Sequence, residues 1–119
     1  MRLRQTAPPN AVAIAKRILK FRRKREALLG AGLFADPAWD MLLDLLVAEE
    51  AGQTVSISSL CIASAVPATT ALRWIKALEQ VGYVAVRPNP IDGRGRTVRL
   101  LPLASTALRS LLGDLERQA

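Results

Sequence analysis

Apolar and polar positions alternate along this chain with helical spacing over most of its length and with strand spacing in two short stretches. Ala71, Trp74, Ile75, Leu78 and Val81 recur at i, i+3, i+4, i+7 and i+10, drawing one apolar stripe along a helix. Thr69, Thr70, Arg73 and Lys76 fall on its other face. Pro67 stops the preceding segment, Thr69 or Thr70 can cap the new helix, and Gly82 follows the last periodic residue, where a left-handed end is expected. Tyr83–Arg87 and Thr97–Leu100 have strand composition and enclose Pro88-Asn89-Pro90-Ile91-Asp92-Gly93-Arg94-Gly95-Arg96, a turn-forming segment with net positive charge.

The pattern extends both ways. Asn10 can cap a helix over Ala11–Leu29, whose apolar stripe is interrupted by Lys20-Phe21-Arg22-Arg23-Lys24-Arg25. Gly30-Ala31-Gly32 permits a change of direction. Asp36 as N-cap with Pro37 at N1 starts the next helix. There Trp39, Leu42, Leu43, Leu46 and Val47 face one side, and Asp40, Asp44 and Glu50 the other. This helix is the expected main core element, closed by Gly52. The residues Thr54-Val55-Ser56-Ile57 alternate and add a short strand to the hairpin. Ser58 or Ser59 then caps a short helix packed by Leu60, Ile62 and Ala63. After Leu101-Pro102 a last helix begins at Leu103 or Ser105, with Leu108, Leu111, Leu112 and Leu115 at 3–4 spacing.

The expected architecture is mainly α with a small antiparallel β-sheet. It is a winged helix-turn-helix, with a basic helix before it and a leucine-rich helix after. The organisation divides into residues 1–32, an arm and basic helix, and residues 33–119. The latter hold the helix-turn-helix, with its second helix at about 68–81 and the wing at about 83–100.

Charge sharpens this picture. The 119 residues hold 17 Lys and Arg against 10 Asp and Glu, a formal net charge of +7 that favours a polyanionic partner. The basic residues concentrate in 1–25 and 73–99, and the acidic ones in 36–50. For the run at 16–25 three readings stay open: a solvated helix surface, a clamp on a DNA backbone, or a helix lying on an anionic membrane. Asp40 and Asp44 share a helical face, read as a solvated acidic surface, because no His accompanies them.

The chain has no His, no Cys pair and no glycine-rich phosphate loop. Neither an enzyme, nor a cofactor, nor a metal site is therefore expected. A single Cys excludes an internal disulfide and suits a reducing cytoplasm. Cys61 itself reads as a small packed residue rather than a redox sensor. No apolar run is long enough for a membrane span.

Residues 55–102, VSISSLCIASAVPATTALRWIKALEQVGYVAVRPNPIDGRGRTVRLLP, resemble the winged helix-turn-helix of the bacterial multiple-antibiotic-resistance-regulator (MarR) family. The resemblance implies a double-stranded DNA partner, a bacterial cytoplasmic, nucleoid-associated regulator, and dimerisation through the terminal helices. It leaves any small-molecule effector unidentified. Asp92 matches the family's wing aspartate and Arg94 a wing arginine, while Gly93 stands where the family often has a first arginine. On this reading Thr69, Thr70 and Arg73 face base edges, with Arg73 the candidate for a bidentate guanine contact. Lys76 and Arg87 would hold phosphates, and Arg94 and Arg96 would reach the minor groove. Leu72, at the edge of the polar face, either touches a thymine methyl or extends the core. A winged helix used for protein interaction, or an RNA-binding domain, would use the same elements.

Overall fold

The computed structural model describes residues 11–30, 33–89, 91 and 95–118. The elements follow in the order α1 Ala11–Leu29, α2 Pro37–Ala51, β1 Val55–Ser56, α3 Ile57–Ala63, α4 Ala68–Gln80, β2 Val84–Pro88, β3 Arg96–Leu100 and α5 Pro102–Gln118. The proposed cap Asn10 and the Pro8-Pro9 arm lie outside the described residues.

The molecule is assembled around α2. Met41, Leu43, Leu45, Leu46 and Ala48 are buried, and these positions encircle the helix rather than marking one stripe. α1, α3, α4 and β3 pack against it, while α5 packs on α1 and is tied to the end of α2 by Ser105 and Arg109 at Glu49. α1 contributes Ala11, Val12, Ile14 and Ala15 to the core, and α5 contributes Ala104, Leu108 and Leu112. Both terminal helices therefore share one apolar cluster with the helix-turn-helix residues Leu60, Ala71, Ile75 and Leu78. Burial of this set supplies the main driving force for folding.

The sheet has the order β1-β3-β2, all antiparallel. Val55 pairs with Val98, Val84 with Leu100 and Val86 with Val98, which places these residues on the inner face over the core. The short strand expected around Thr54–Ile57 forms here as β1.

Several local expectations are corrected. α3 is capped by Ser56, whose hydroxyl accepts from the Ser59 amide at 3.0 Å, not by Ser58 or Ser59. Position N-cap of α4 is Pro67, with no side-chain cap; Thr69 and Thr70 already lie inside the helix. Asp36 occupies the N-cap of α2 as expected, with Pro37 at the first helical position, but its side chain makes no capping bond. Gly82, at φ +83°, lets the chain leave α4 in left-handed geometry, and the Tyr83 amide then donates to the Leu78 carbonyl at 3.0 Å. In the α3–α4 turn a non-glycine residue does the same: Ala65 sits at φ +62°.

The largest correction concerns Asp40. It is fully buried, not on a solvated face. Arg22 of α1, itself buried, donates from Nε and from Nη2 to the two Asp40 oxygens, and from Nη2 to the Phe34 carbonyl at 3.3 Å. Arg23 donates to Asp40 as well, to Glu26 at 2.6 Å, and to the Ala63 carbonyl at the end of α3 at 3.1 Å. Burial pulls the Arg23 guanidinium pKa down, but its bonds to Glu26 and Asp40 outweigh that and raise it. Arg25 donates to the Phe34 carbonyl at 2.6 Å and lies over the Phe34 ring, 5.1 Å from its centroid. Arg22 and Arg23 therefore join α1 to α2 and α3, and Arg25 fastens the segment between α1 and α2.

Candidate nucleic-acid interface

α4 is fixed from below by Ala71, Ile75 and Leu78, all buried at i, i+4 and i+7. At ~100° per residue this leaves Thr69, Arg73, Lys76 and Gln80 on the opposite side, and all four are exposed. Thr70 lies half-buried on the flank. Among the described residues neither Arg73 nor Lys76 is in an ion pair. Leu72 is exposed too, so it does not extend the core. Two members of the expected stripe are corrected: Trp74 is 42% exposed and Val81 59%. Trp74 stands at the stripe's margin, about 60° from Leu78's neighbour Ala71, so its ring overhangs the edge. Val81 follows the last helical residue and closes the helix rather than packing beneath it.

The wing is a β2–β3 hairpin whose register sorts its arginines. Pro88 pairs with Arg96, Arg87 with Thr97 and Ala85 with Arg99. Alternation then puts Arg96 on the same face as Val86 and Val98, beyond the core, where it is exposed. Arg87 lies on the other face, with Thr97 opposite and Arg99 diagonal to it, roughly 7–8 Å away by the geometry of such pairs. The Arg87 guanidinium donates to the Val86 carbonyl at 2.9 Å. At the tip the Asn89 amide donates to the Gly95 carbonyl, and the Ile91 amide to Asn89 Oδ1 at 2.9 Å. Gly95 takes φ +66°, a conformation that admits glycine without strain. Arg94, Asp92 and Gly93 lie outside the described residues.

The sequence-derived set is thus partly assembled. Thr69, Arg73 and Lys76 share one exposed face, whereas Arg87 and Arg96 stand on opposite faces of the hairpin. Arg99, exposed beside Arg87, joins the candidates. Its signal was the two-residue alternation of β3, which means nothing until the hairpin register is known.

Burial pushes the Cys61 thiol up, away from the thiolate a redox sensor needs. Burial likewise raises the Asp44 carboxyl. Among the described residues no group of His, Cys, Asp and Glu could hold a metal ion. No described helix is long and apolar enough to cross a membrane.

Superposition on solved structures decides the architecture. A MarR family transcriptional regulator from Silicibacter pomeroyi matches 93% of this chain and 72% of its own at a TM-score of 0.57 and 19% identity. The fold is that of the MarR-type winged helix. S. aureus MepR in its DNA-binding conformation matches 89% of this chain and 79% of its own, with a TM-score of 0.58 and 14% identity. A protein from Archaeoglobus fulgidus matches 79% of this chain and 96% of its own, at 0.59 and 19%. No family model and no curated protein matches the sequence. In MarR-type terms α3 and α4 are the two helices of the helix-turn-helix, and β2–β3 is the wing.

Proposed function

We propose that this chain is a sequence-specific double-stranded DNA-binding protein, a bacterial transcriptional regulator that works in the cytoplasm as a homodimer. One observation carries the reading. α4 buries one face and offers Thr69, Arg73 and Lys76 on the other, with no carboxylate among the described residues paired to either cation. Such a helix fits the major groove. Arg73 reads a guanine edge, Thr69 and Thr70 contact neighbouring bases, and Lys76 holds a phosphate. Arg87 and Arg99 face a flanking backbone from one side of the wing, while Arg94 and Arg96 at its tip enter the minor groove. The fold shared with MepR and the Silicibacter regulator supports this assignment.

The dimer is proposed through α5. Two leucines of its stripe, Leu108 and Leu112, are buried in the chain's own core. Leu103, Leu111 and Leu115 remain exposed, and a second copy would cover them. Selected sites would then be inverted repeats with centres about one duplex turn apart.

The test is selection from random duplexes across a range of salt concentrations, with sedimentation of the free protein. Enrichment of a two-fold symmetric site whose affinity exceeds the random background supports the reading. Equal affinity for all duplexes removes sequence specificity, and a monomer at tens of micromolar with asymmetric sites removes the dimer.

A further inference from the structure

α1 carries seven cations, and the fold parts them into two sets. Arg22, Arg23 and Arg25 turn inward to Asp40, Glu26, Ala63 and Phe34. Lys16, Arg17, Lys20 and Lys24 are all exposed. At ~100° per residue those four occupy an arc of about 100°, shared with the small residues Ala13 and Ala27. The helix's single acid, Glu26, lies outside this arc and is held by Arg23. Among the described residues none of the four outward cations is in an ion pair. Lys16, Lys20 and Lys24 follow one another at i+4, where like charges repel. The arrangement gathers unneutralised charge in one place although the same helix neutralises its other cations.

The position of this face matters as much as its charge. Arg23 reaches the Ala63 carbonyl, so this turn of α1 lies within one arginine's length of the end of α3. Lys20 and Lys16 stand three and seven positions before Arg23, on the adjoining strip of the helix. The turn after Ala63 leads directly into α4. In a helix-turn-helix the first helix crosses the phosphate backbone while the second enters the groove. The cation face of α1 therefore begins within an arginine's reach of the end of the helix that meets the backbone.

Resting on the function proposed above, we propose that Lys16, Arg17, Lys20 and Lys24 form a second phosphate-binding surface, whose occupant is the backbone of the same duplex flanking the half-site. It contributes affinity without sequence information, because it offers only flexible cations and no base-reading group. An anionic lipid surface is the less suitable occupant. A helix lying on a membrane inserts a broad apolar face, and here most of that face is buried in the core; the exposed Phe21 and Leu28 stand at the edge of the cation arc and Leu29 away from it.

The experiment uses the full chain with Lys16→Gln, Arg17→Gln, Lys20→Gln and Lys24→Gln combined. All four side chains are exposed, and the melting temperature is expected to stay that of the parent. Affinity is measured for the selected duplex and for a random duplex between 50 and 200 mM salt. The expected result is a loss of at least ~10-fold for both duplexes alike, and a salt slope shallower by about 0.9 per lost phosphate contact. The ratio between the two duplexes should not change. Unchanged affinity and slope overturn the proposal, as does a variant whose binding to phosphatidylserine vesicles falls while its DNA binding holds. The underlying reading fails differently: the parent itself would select no sequence, while its slope on random duplex would still judge the α1 face.

Discussion

α1 and α4 are both amphipathic basic helices, and they dispose of their cations in opposite ways. On α4 the charges all turn away from the protein, because Ala71, Ile75 and Leu78 fill the core side. On α1 the apolar stripe runs out after Leu19, and the core side of the next turn is taken by Arg22 and Arg23. That is tolerable only because α2 brings a buried carboxylate to meet them. The same residue type in two basic helices therefore means different things. A cation is available to a partner only when no acid from elsewhere in the chain has claimed it.

The sharpest way to break this comparison is to remove one inward arginine. Arg22→Met leaves Asp40 buried with a single, half-exposed partner, and should cost about 3–5 kcal/mol of stability by urea denaturation. Combining it with Asp40→Leu should recover much of that loss, since an apolar pair of similar volume removes the stranded charge. A single variant as stable as the parent would mean that the pair does not organise α1.

On α4 the same kind of substitution should leave the fold alone. Arg73→Ala is expected to stay within about 0.5 kcal/mol in stability. It should relax preference at one base position per half-site by about 1–3 kcal/mol, read by site selection. A uniform loss across all sequences would show that Arg73 holds only phosphate.

The wing divides again. Arg87→Gln with Arg99→Gln should flatten the salt slope by about 0.9 for each contact without altering base preference. Arg96→Ala should instead blunt preference for A·T-rich flanks. Identical behaviour of the two variants would mean that the two faces of the hairpin do not act separately.

The smallest effect belongs to Asp44. Burial raises its folded-state pKa above the unfolded value, so the ionised form is disfavoured in the folded protein. The resulting penalty is absent at pH values below the unfolded pKa and appears as pH rises through the folded one. Asp44→Asn should therefore raise the melting temperature slightly at neutral pH and leave it unchanged near pH 3. A gain that persists at low pH would assign the effect to something other than desolvation.

Local patterns in the sequence were enough to place the elements. Periodicity located α4, the strand composition around a turn-rich segment located the hairpin, and Asp36-Pro37 marked the start of α2. The burial of Ala71, Ile75 and Leu78 was legible because a stripe and its polar opposite are written in the same thirteen residues. Asp40 was not, because its partners lie 17 and 18 positions away on another helix. In isolation a carboxylate next to another carboxylate looks solvated. The split of α5 between Leu108 and Leu112 inside and Leu111 and Leu115 outside was hidden for a related reason. All four are leucines at helical spacing, and only the packing of α5 on α1 decides which pair is covered. Arg87 and Arg96 have different expected roles, phosphate and minor groove, but their orientation is not written locally: hairpin register, set by a tip too long to infer, sends them to opposite faces.

The strand order β1-β3-β2 has a mechanical meaning. β3 is hydrogen-bonded on both edges, to the rest of the wing through β2 and to β1, and β1 runs straight into α3 with no intervening residue. A load applied at the tip near Gly95 therefore travels down β3 and arrives at Ser56, the residue that caps α3. The wing is thereby joined through paired strands to the first turn of the helix-turn-helix. A partner that grasps the tip therefore holds a strand hydrogen-bonded to the residue that caps α3, and α3 is followed by α4 after the tight bend at Ala65.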